Sequence, residues 1–227
     1  MMDSLSSDVD ALPEGDAASS RGAVERAVEA IRSLVLSREL FPGQRLGQDD
    51  LSARIGTSRG PTREALRALS QEGLITHIPN RGYEVTRFDI SEMTQMYTLR
   101  DLAENEILRT AVAPSEAQLR EMREINERIK DPSSTVESAM RLNRDFHFSM
   151  FELSPNKLII SEVDRWWNMS MAYRALGIAI WEQRAEMMGA AHDAQIAALA
   201  DRDYERLVEL CREHRWVSLK RIANLLG

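Results

Sequence analysis

The stretch 48–85 constrains the fold of this 227-residue chain more than any other part. It contains two short helical patterns followed by two short patterns typical of strands. These four elements are predicted at 48–55, from 58 onwards, at 74–78 and at 83–85. Gly56 separates the two helices, and Pro79-Asn80-Arg81-Gly82 connects the two strands as a hairpin turn.

A further helix is predicted upstream, where apolar residues recur at helical spacing: Val24, Val28, Ile31 and Leu34. It should end near the turn sequence Phe41-Pro42-Gly43. The order helix, helix, short turn, helix and β-hairpin is that of a winged helix-turn-helix. The sequence therefore predicts this fold for residues 21–88.

Charge is distributed unevenly along the chain, whose formal net charge is -7. Residues 1–20 contain five acidic residues and no Lys or Arg, and because they lack an apolar period we predict a disordered tail. Residues 21–88 contain eleven arginines, no lysine and eight acidic residues, a net charge of +3. A basic segment within an acidic protein favours contact with a polyanion.

Arg59, Arg63 and Arg67 are spaced four residues apart in the third predicted helix and share one face of it. One interpretation is an ordinary solvated face of an amphipathic helix. The other is a surface that enters the major groove of DNA, because a guanidinium group binds guanine or phosphate bidentately. The predicted wing and the basic charge of the segment favour the second interpretation.

The run PGQRLGQDDLSARIGTSRGPTREALRALSQEGLI, followed by PNRGYEV, resembles the amino-terminal domain of the GntR family of bacterial transcription regulators. The resemblance covers nearly all of residues 21–88 and implies binding to double-stranded operator DNA. The contact residues that it implies are Arg45, Ser58, Arg59, Thr62, Arg63, Arg67, Asn80, Arg81 and Gly82. Arg45 and Arg67 would contact phosphates. Asp49 stands where some relatives have a DNA-contacting arginine.

Residues 89–227 contain helical patterns only, separated by breaks such as Ala113-Pro114, Asp131-Pro132 and Ser154-Pro155. About six helices are predicted, at 91–111, 115–130, 134–153, 156–176, 181–201 and 203–226. An antiparallel all-helical bundle is the expected architecture. The chain as a whole is therefore predicted to be mainly α.

Three histidines of this bundle, His147, His192 and His214, lie on the apolar stripes of their helices. Asn143 precedes the first of them by one turn on the same face. A single inward histidine is readily explained as a neutral ring hydrogen-bonded in the core. Three imidazoles from separate helices, with a side-chain oxygen alongside, can instead hold a divalent metal and leave coordination positions open.

The motifs NRDFH, AHDAQIAAL and REHRWVSL resemble the FCD effector domain of the FadR-type branch of GntR regulators. The resemblance implies that Asn143, His147, His192 and His214 bind a divalent metal, for which we predict Zn²⁺. Asn143 stands where Asp is frequent in the family, so one anionic ligand is missing. We therefore expect weaker metal affinity and a metal occupancy that depends more on a bound effector.

Arg100 falls on the inward stripe of its helix, where an unpaired charge is costly. Either it pairs with Glu104 one turn later, or it binds the carboxylate of a small effector. Arg174, beside Trp167 and Tyr173, could bind the same carboxylate.

We predict a cytoplasmic, homodimeric, ligand-responsive transcription regulator, a repressor that binds a palindromic operator, because one winged helix alone makes few base contacts. Cys211 is the only cysteine, so no intrachain disulfide can form. No apolar run approaches the roughly 20 residues of a membrane span, and no membrane partner is predicted. The first alternative is an FCD-type regulator with a metal-free pocket for a larger ligand. The second is a metal-dependent hydrolase, although no obvious general base accompanies the histidines.

Overall fold

The computed structural model describes residues 14–181 and 183–226, and it describes side chains from Arg21 onward. These residues form ten helices and one three-stranded sheet. Among the described helices, none is both long and apolar enough to cross a membrane. The architecture is mainly α, as the sequence predicted, and it has an amino-terminal unit followed by a helical bundle.

The amino-terminal unit contains three helices and three strands. Its elements are α1 (Glu14–Leu36), β1 (Arg45–Leu46), α2 (Gln48–Arg54), α3 (Arg59–Gln71), β2 (Ile75–Ile78) and β3 (Gly82–Val85). The apolar faces of α1 and α3 meet in one core, in which Ile31, Leu66 and Leu69 are fully buried. The helix-turn-helix and its hairpin therefore lie where the sequence pattern predicted them.

Helix α1 begins at Glu14, so the prediction of a disordered tail over residues 1–20 is wrong for 14–20. This stretch contains Ala17 and Ala18, and alanine has the highest helix propensity. The rest of the predicted tail, residues 1–13, lies outside the described residues.

The sheet has the strand order β1-β3-β2 and is antiparallel. The two-residue strand β1, which the sequence pattern did not predict, pairs Arg45 with Glu84 on β3. At the hairpin tip the backbone N–H of Arg81 donates to the carbonyl of Ile78 at 3.0 Å. Asn80 has φ of 63° there, a left-handed conformation that asparagine tolerates better than most residues.

The bundle contains seven helices where about six were predicted. They are α4 (Ile90–Arg109), α5 (Glu116–Ile129), α6 (Val136–Phe151), α7 (Lys157–Met169), α8 (Met171–Ala179), α9 (Arg184–Ala200) and α10 (Tyr204–Leu226). The predicted helix 156–176 is two helices that break at Ser170, whose buried hydroxyl donates to the carbonyl of Trp166 at 2.9 Å. A serine bonded back to the preceding turn bends a helix, and here the helix is interrupted.

The two units pack against each other through α8. Met171, Ala172 and Ala175 of α8 belong to the same buried apolar cluster as Leu36 and Leu66 of the amino-terminal unit. Within the bundle, α4 packs on α7 and α10, and α5 packs on α6 and α9. This arrangement brings the inward faces of α6, α9 and α10 together.

Candidate metal centre and basic surface

Three imidazoles meet inside the bundle. His147 on α6, His192 on α9 and His214 on α10 have ring centroids 5.1 Å apart in each pair. One candidate ligand nitrogen from each residue lies within 4.8 Å of the others. The structure thus brings together side chains that are distant in the sequence: His147 and His192 are 45 residues apart, and His192 and His214 are 22 apart.

Asn126, which the sequence interpretation missed, orients one of these rings. Its Nδ2 donates to the carbonyl of Gly189 at 3.0 Å and to Asp193 at 2.8 Å. The amide oxygen therefore faces Nδ1 of His192, at 3.2 Å. Because an amide oxygen only accepts hydrogen bonds, Nδ1 carries the proton and Nε2 keeps its lone pair.

Nε2 of His192 is buried and has no hydrogen-bond partner among the described residues. A carbonyl or carboxylate bonded to one nitrogen of a metal-binding histidine is the usual means of presenting the other nitrogen to the metal. The signal in the sequence was a polar residue on an apolar stripe, because Asn126 shares the buried face of α5 with Leu119, Met122 and Ile129.

The three rings are neutral at pH 7. Burial, together with the neighbouring His214, lowers the pKa of His147 well below its usual value. Burial is the main cause that lowers the pKa of His192 well below its usual value, and the neighbouring His147 and His214 lower it further. Burial and the nearby Arg221 and Arg215 lower the pKa of His214 to about 4. Neutral imidazole is the form that binds a metal ion, so the donor set fits a divalent ion without displacing protons.

Asn143 lies beside the histidines, as the sequence predicted it would. It is 5% exposed, and its Oδ1 has no hydrogen-bond partner among the described residues. It lines the same small cavity as His147 and His214. Its oxygen is therefore free to interact with a ligand at this point.

Arg100 forms the ion pair that was one of its two predicted roles. Its Nε donates to Glu104 at 2.8 Å, and Glu104 also accepts from Arg215 at 2.9 Å and from Trp167 at 3.0 Å. Burial would raise the pKa of Glu104, but the two arginines outweigh it and lower the pKa to about 2. Nη1 of Arg100 still has no partner among the described residues.

Arg174 has no carboxylate partner in the described part of the chain. Its Nη2 donates to the carbonyl of Trp167 at 2.8 Å, whereas Nε and Nη1 are buried without a hydrogen bond. Burial and the positive charge of Arg100 lower the pKa of Arg174 to about 9. A buried guanidinium group whose nitrogens lack hydrogen-bond partners destabilises the fold unless an anion binds to it.

Two cavities that share lining residues adjoin these groups. The smaller, of about 30 Å³, is lined by Arg100, Arg174, His147 and His214 among others. The larger, of about 250 Å³, extends between α8, α9 and α10. Four residues line both cavities: Asn143, Arg174, His214 and Ser218. An anion bound beside the histidines would therefore have open space next to it.

On the amino-terminal unit, most of the predicted DNA contacts are exposed. These are Arg45, Ser58, Arg59, Arg63, Arg67, Asn80 and Arg81. Gly82 is half-buried and has φ of 83°, which the hairpin tip requires. Arg63 and Arg67 both lie near Glu64, with N to O distances of 3.4 and 3.0 Å.

Thr62 is the exception, and its assignment as a side-chain contact to DNA is wrong for this structure. Its side chain is fully buried. Its hydroxyl donates to the carbonyl of Ser58 at 2.9 Å and lies 2.8 Å from the hydroxyl of Ser52. The polar atoms of Thr62 are thus satisfied between α2 and α3, and the residue stabilises the angle between these helices.

Asp49 faces the first arginine of the recognition helix. Its Oδ2 accepts from Nη2 of Arg59 at 2.8 Å, and both side chains are more than two-thirds exposed, at 68% and 77%. An exposed pair of this kind contributes little to stability. DNA phosphates or bases can therefore compete with Asp49 for the guanidinium.

A winged helix-turn-helix with an exposed basic face, joined to a helical bundle with a polar internal pocket, defines a class of transcription regulators. The sequence profile of the bacterial regulatory proteins of the gntR family matches residues 23–85, and that of the FCD domain matches residues 95–215. The chain belongs to the GntR family, in the branch that carries an FCD domain. The family and the relatives that the chain matches are transcription regulators and not enzymes, which argues against the hydrolase alternative.

Similar proteins agree with this assignment. The Nta operon transcriptional regulator of Aminobacter aminovorans is 26% identical over 132 residues, which are 57% of this chain and 63% of that protein. The HTH-type transcriptional regulator BphR of Paraburkholderia xenovorans is 27% identical over 203 residues, 86% of this chain and 82% of that protein. The structure of McbR/YncC of E. coli aligns with a TM-score of 0.79 at 19% identity, over 90% of this chain and 99% of that one, and shows the shared fold.

Proposed function

We propose that the chain is a cytoplasmic, homodimeric repressor that releases or holds its operator according to whether a small carboxylate occupies the bundle. The observation that carries the proposal is a cluster of three neutral imidazoles beside one cavity. Two of them, His147 and His214, line this cavity together with Arg100 and Arg174, whose side chains have nitrogens without a partner among the described residues. Together, these groups could bind a metal ion and an anion next to each other. Residues 21–88 form the DNA-binding part in this proposal, and residues 89–227 form the effector-binding and dimerisation part.

The metal in this proposal is a divalent ion, Zn²⁺, held by His147, His192 and His214. Asn143 adds its amide oxygen. When bound, the ion acts as a Lewis acid that anchors an oxygen of the effector carboxylate. Arg174 and Arg100 then bind the same carboxylate through the nitrogens that have no partner in the described part of the chain.

The DNA side of the proposal rests on the exposed basic face. Arg59 and Arg63 read base edges in the major groove, and Arg81 at the wing tip reaches the neighbouring groove. Arg45 and Arg67 contact phosphates, and Ser58, Asn80 and Gly82 lie close to the DNA backbone. A second copy is needed because two half-sites give the specificity that one winged helix lacks.

Selection of DNA from a random-sequence pool tests the proposal. The full chain should enrich a palindrome whose half-sites are separated by about one or two helical turns, and its zinc content should approach one ion per chain. The variant His192→Ala should lose the zinc, whereas His77→Ala, which removes the exposed histidine of β2, should keep it. Failure to enrich any DNA, or equal zinc content in both variants, would contradict the proposal. Enriched DNA with no metal in the wild-type protein would identify the metal-free alternative.

A further inference from the structure

We propose that the effector is a monocarboxylate with an apolar body, whose carboxylate lies beside the histidines and whose body fills the larger cavity. This inference rests on the function proposed above and narrows the chemical class of the ligand. It follows from the difference between these two neighbouring cavities: most residues that line the smaller one are polar or charged, and the walls of the larger one are mainly apolar.

The smaller cavity provides the site for the carboxylate. Three buried guanidinium groups, those of Arg100, Arg174 and Arg215, share two carboxylates, Glu104 and Asp101. One positive charge is therefore left uncompensated, and it falls on Arg174, whose Nε and Nη1 have no partner among the described residues. A single carboxylate would neutralise it and accept the missing hydrogen bonds.

The larger cavity provides the site for the body of the ligand. Its walls are largely apolar and include Ile178, Trp181, Met188, Ala191, Leu210 and Val217. Its volume of about 250 Å³ corresponds to roughly eight water molecules at about 30 Å³ each. An acid of two carbons would leave most of this space to water against apolar walls, whereas a longer acid would bury its chain there.

A second carboxylate on the ligand is disfavoured by the charged groups that line the larger cavity. Glu213 lines it and would repel another negative charge. Arg221 also lines it, but its guanidinium lies 3.3 Å from the centroid of the Trp181 ring, which it covers. The negative charge of Glu213 also offsets the positive charge of Arg221, so Arg174 remains the lining arginine with two nitrogens that lack a partner among the described residues.

Calorimetric titration of the zinc-loaded full chain tests the inference. The probes are acetate, hexanoate, 3-phenylpropanoate, adipate and hexan-1-ol. We expect hexanoate and 3-phenylpropanoate to bind at least tenfold more tightly than acetate, because their apolar bodies leave water for the larger cavity. Adipate and hexan-1-ol should bind more weakly than hexanoate, since one brings a second charge and the other lacks the carboxylate.

A variant that fills the cavity gives the second arm. Ala191 lines the larger cavity, so Ala191→Leu should reduce the ratio of hexanoate to acetate affinity at least fivefold. The matched control is Ala197→Leu, on the exposed face of the same helix, which should keep the wild-type ratio.

Zinc content, measured in every variant, distinguishes failure of the ligand class from failure of the proposed function. If zinc is bound and acetate binds as tightly as hexanoate, or adipate binds most tightly, the ligand class is wrong and the proposed function stands. If neither zinc nor any acid binds, both are wrong.

Discussion

The amide oxygen of Asn126 lies 3.2 Å from Nδ1 of His192, and this contact fixes the ring so that Nε2 keeps its lone pair. The contact joins α5 to α9 and is supported by two hydrogen bonds from the same amide group, to Gly189 and Asp193. The amide thus has a single orientation. A histidine held in this way is ready to bind a metal before the ion arrives.

Replacing Asn126 should therefore weaken metal binding without touching a ligand. For Asn126→Ala we expect zinc affinity to fall by about 10- to 100-fold, the range seen when such supporting partners are removed. Competition with a chromophoric chelator measures the affinity. Glu124→Ala, on the exposed face of the same helix, is the control and should behave as the wild type. Equal affinities in the two variants would show that the contact does not support a metal site.

The recognition-helix arginines should carry the specificity for the operator. We expect Arg59→Ala and Arg63→Ala each to cost about 1–3 kcal/mol of specific binding, the value of a good base contact. Fluorescence anisotropy with the selected palindrome and with a scrambled duplex measures both specific and non-specific affinity. Circular dichroism should show unchanged helix content, because both side chains are exposed. An arginine whose removal leaves operator affinity unchanged does not read the DNA.

The wing should contribute in a different way from the recognition helix. Arg81→Ala should weaken binding to many sequences by similar factors and reduce the slope of log affinity against log salt by about one, as expected when one phosphate contact is lost. Titrations at several salt concentrations provide the slope. A loss restricted to one base position, with the salt slope intact, would place Arg81 on a base edge instead.

Glu104 should make stability depend on pH in a defined window. Its pKa is lowered from 4.5 to about 2 in the folded state, so its ionised form contributes stability that is fully present above about pH 4.5 and is lost as the pH falls towards 2. Glu104→Gln removes this contribution, leaves Arg100 without a carboxylate partner and leaves Arg215 with Asp101 alone. This should lower the free energy of unfolding by about 3–5 kcal/mol at pH 7. Chemical denaturation at pH 7 and pH 4 measures it. The difference between wild type and variant should shrink at the lower pH, and a constant difference would argue against an ionised Glu104.

The sequence was informative where local patterns determine structure. The helical periods, the Gly56 break and the Pro79-Asn80-Arg81-Gly82 turn were enough to predict the winged helix-turn-helix. The convergence of His147, His192 and His214 was also predictable, because each lies on an apolar stripe that must face the core.

The features that the sequence did not reveal depend on contacts between distant segments. Strand β1 has only two residues and exists because β3 pairs with it. The break between α7 and α8 falls at Ser170 without a glycine or proline to signal it. Thr62 was expected to contact DNA from the family resemblance, but Ser52 and Ser58 satisfy its hydroxyl in the interior. The role of Asn126 depends on how α5 packs against α9.

The melting temperature of metal-stripped protein, followed as Zn²⁺ is added, tests the metal centre most directly. The ion would tie α6, α9 and α10 together, so a site filled to about 100 times its dissociation constant should add about 2.7 kcal/mol of stability. This should raise the melting temperature by several degrees, at about 2–4 °C per kcal/mol, with saturation at one ion per chain. His192→Ala should show no rise, and His77→Ala should follow the wild type. An unchanged melting temperature in the wild-type protein, or the same rise in His192→Ala, would contradict the account.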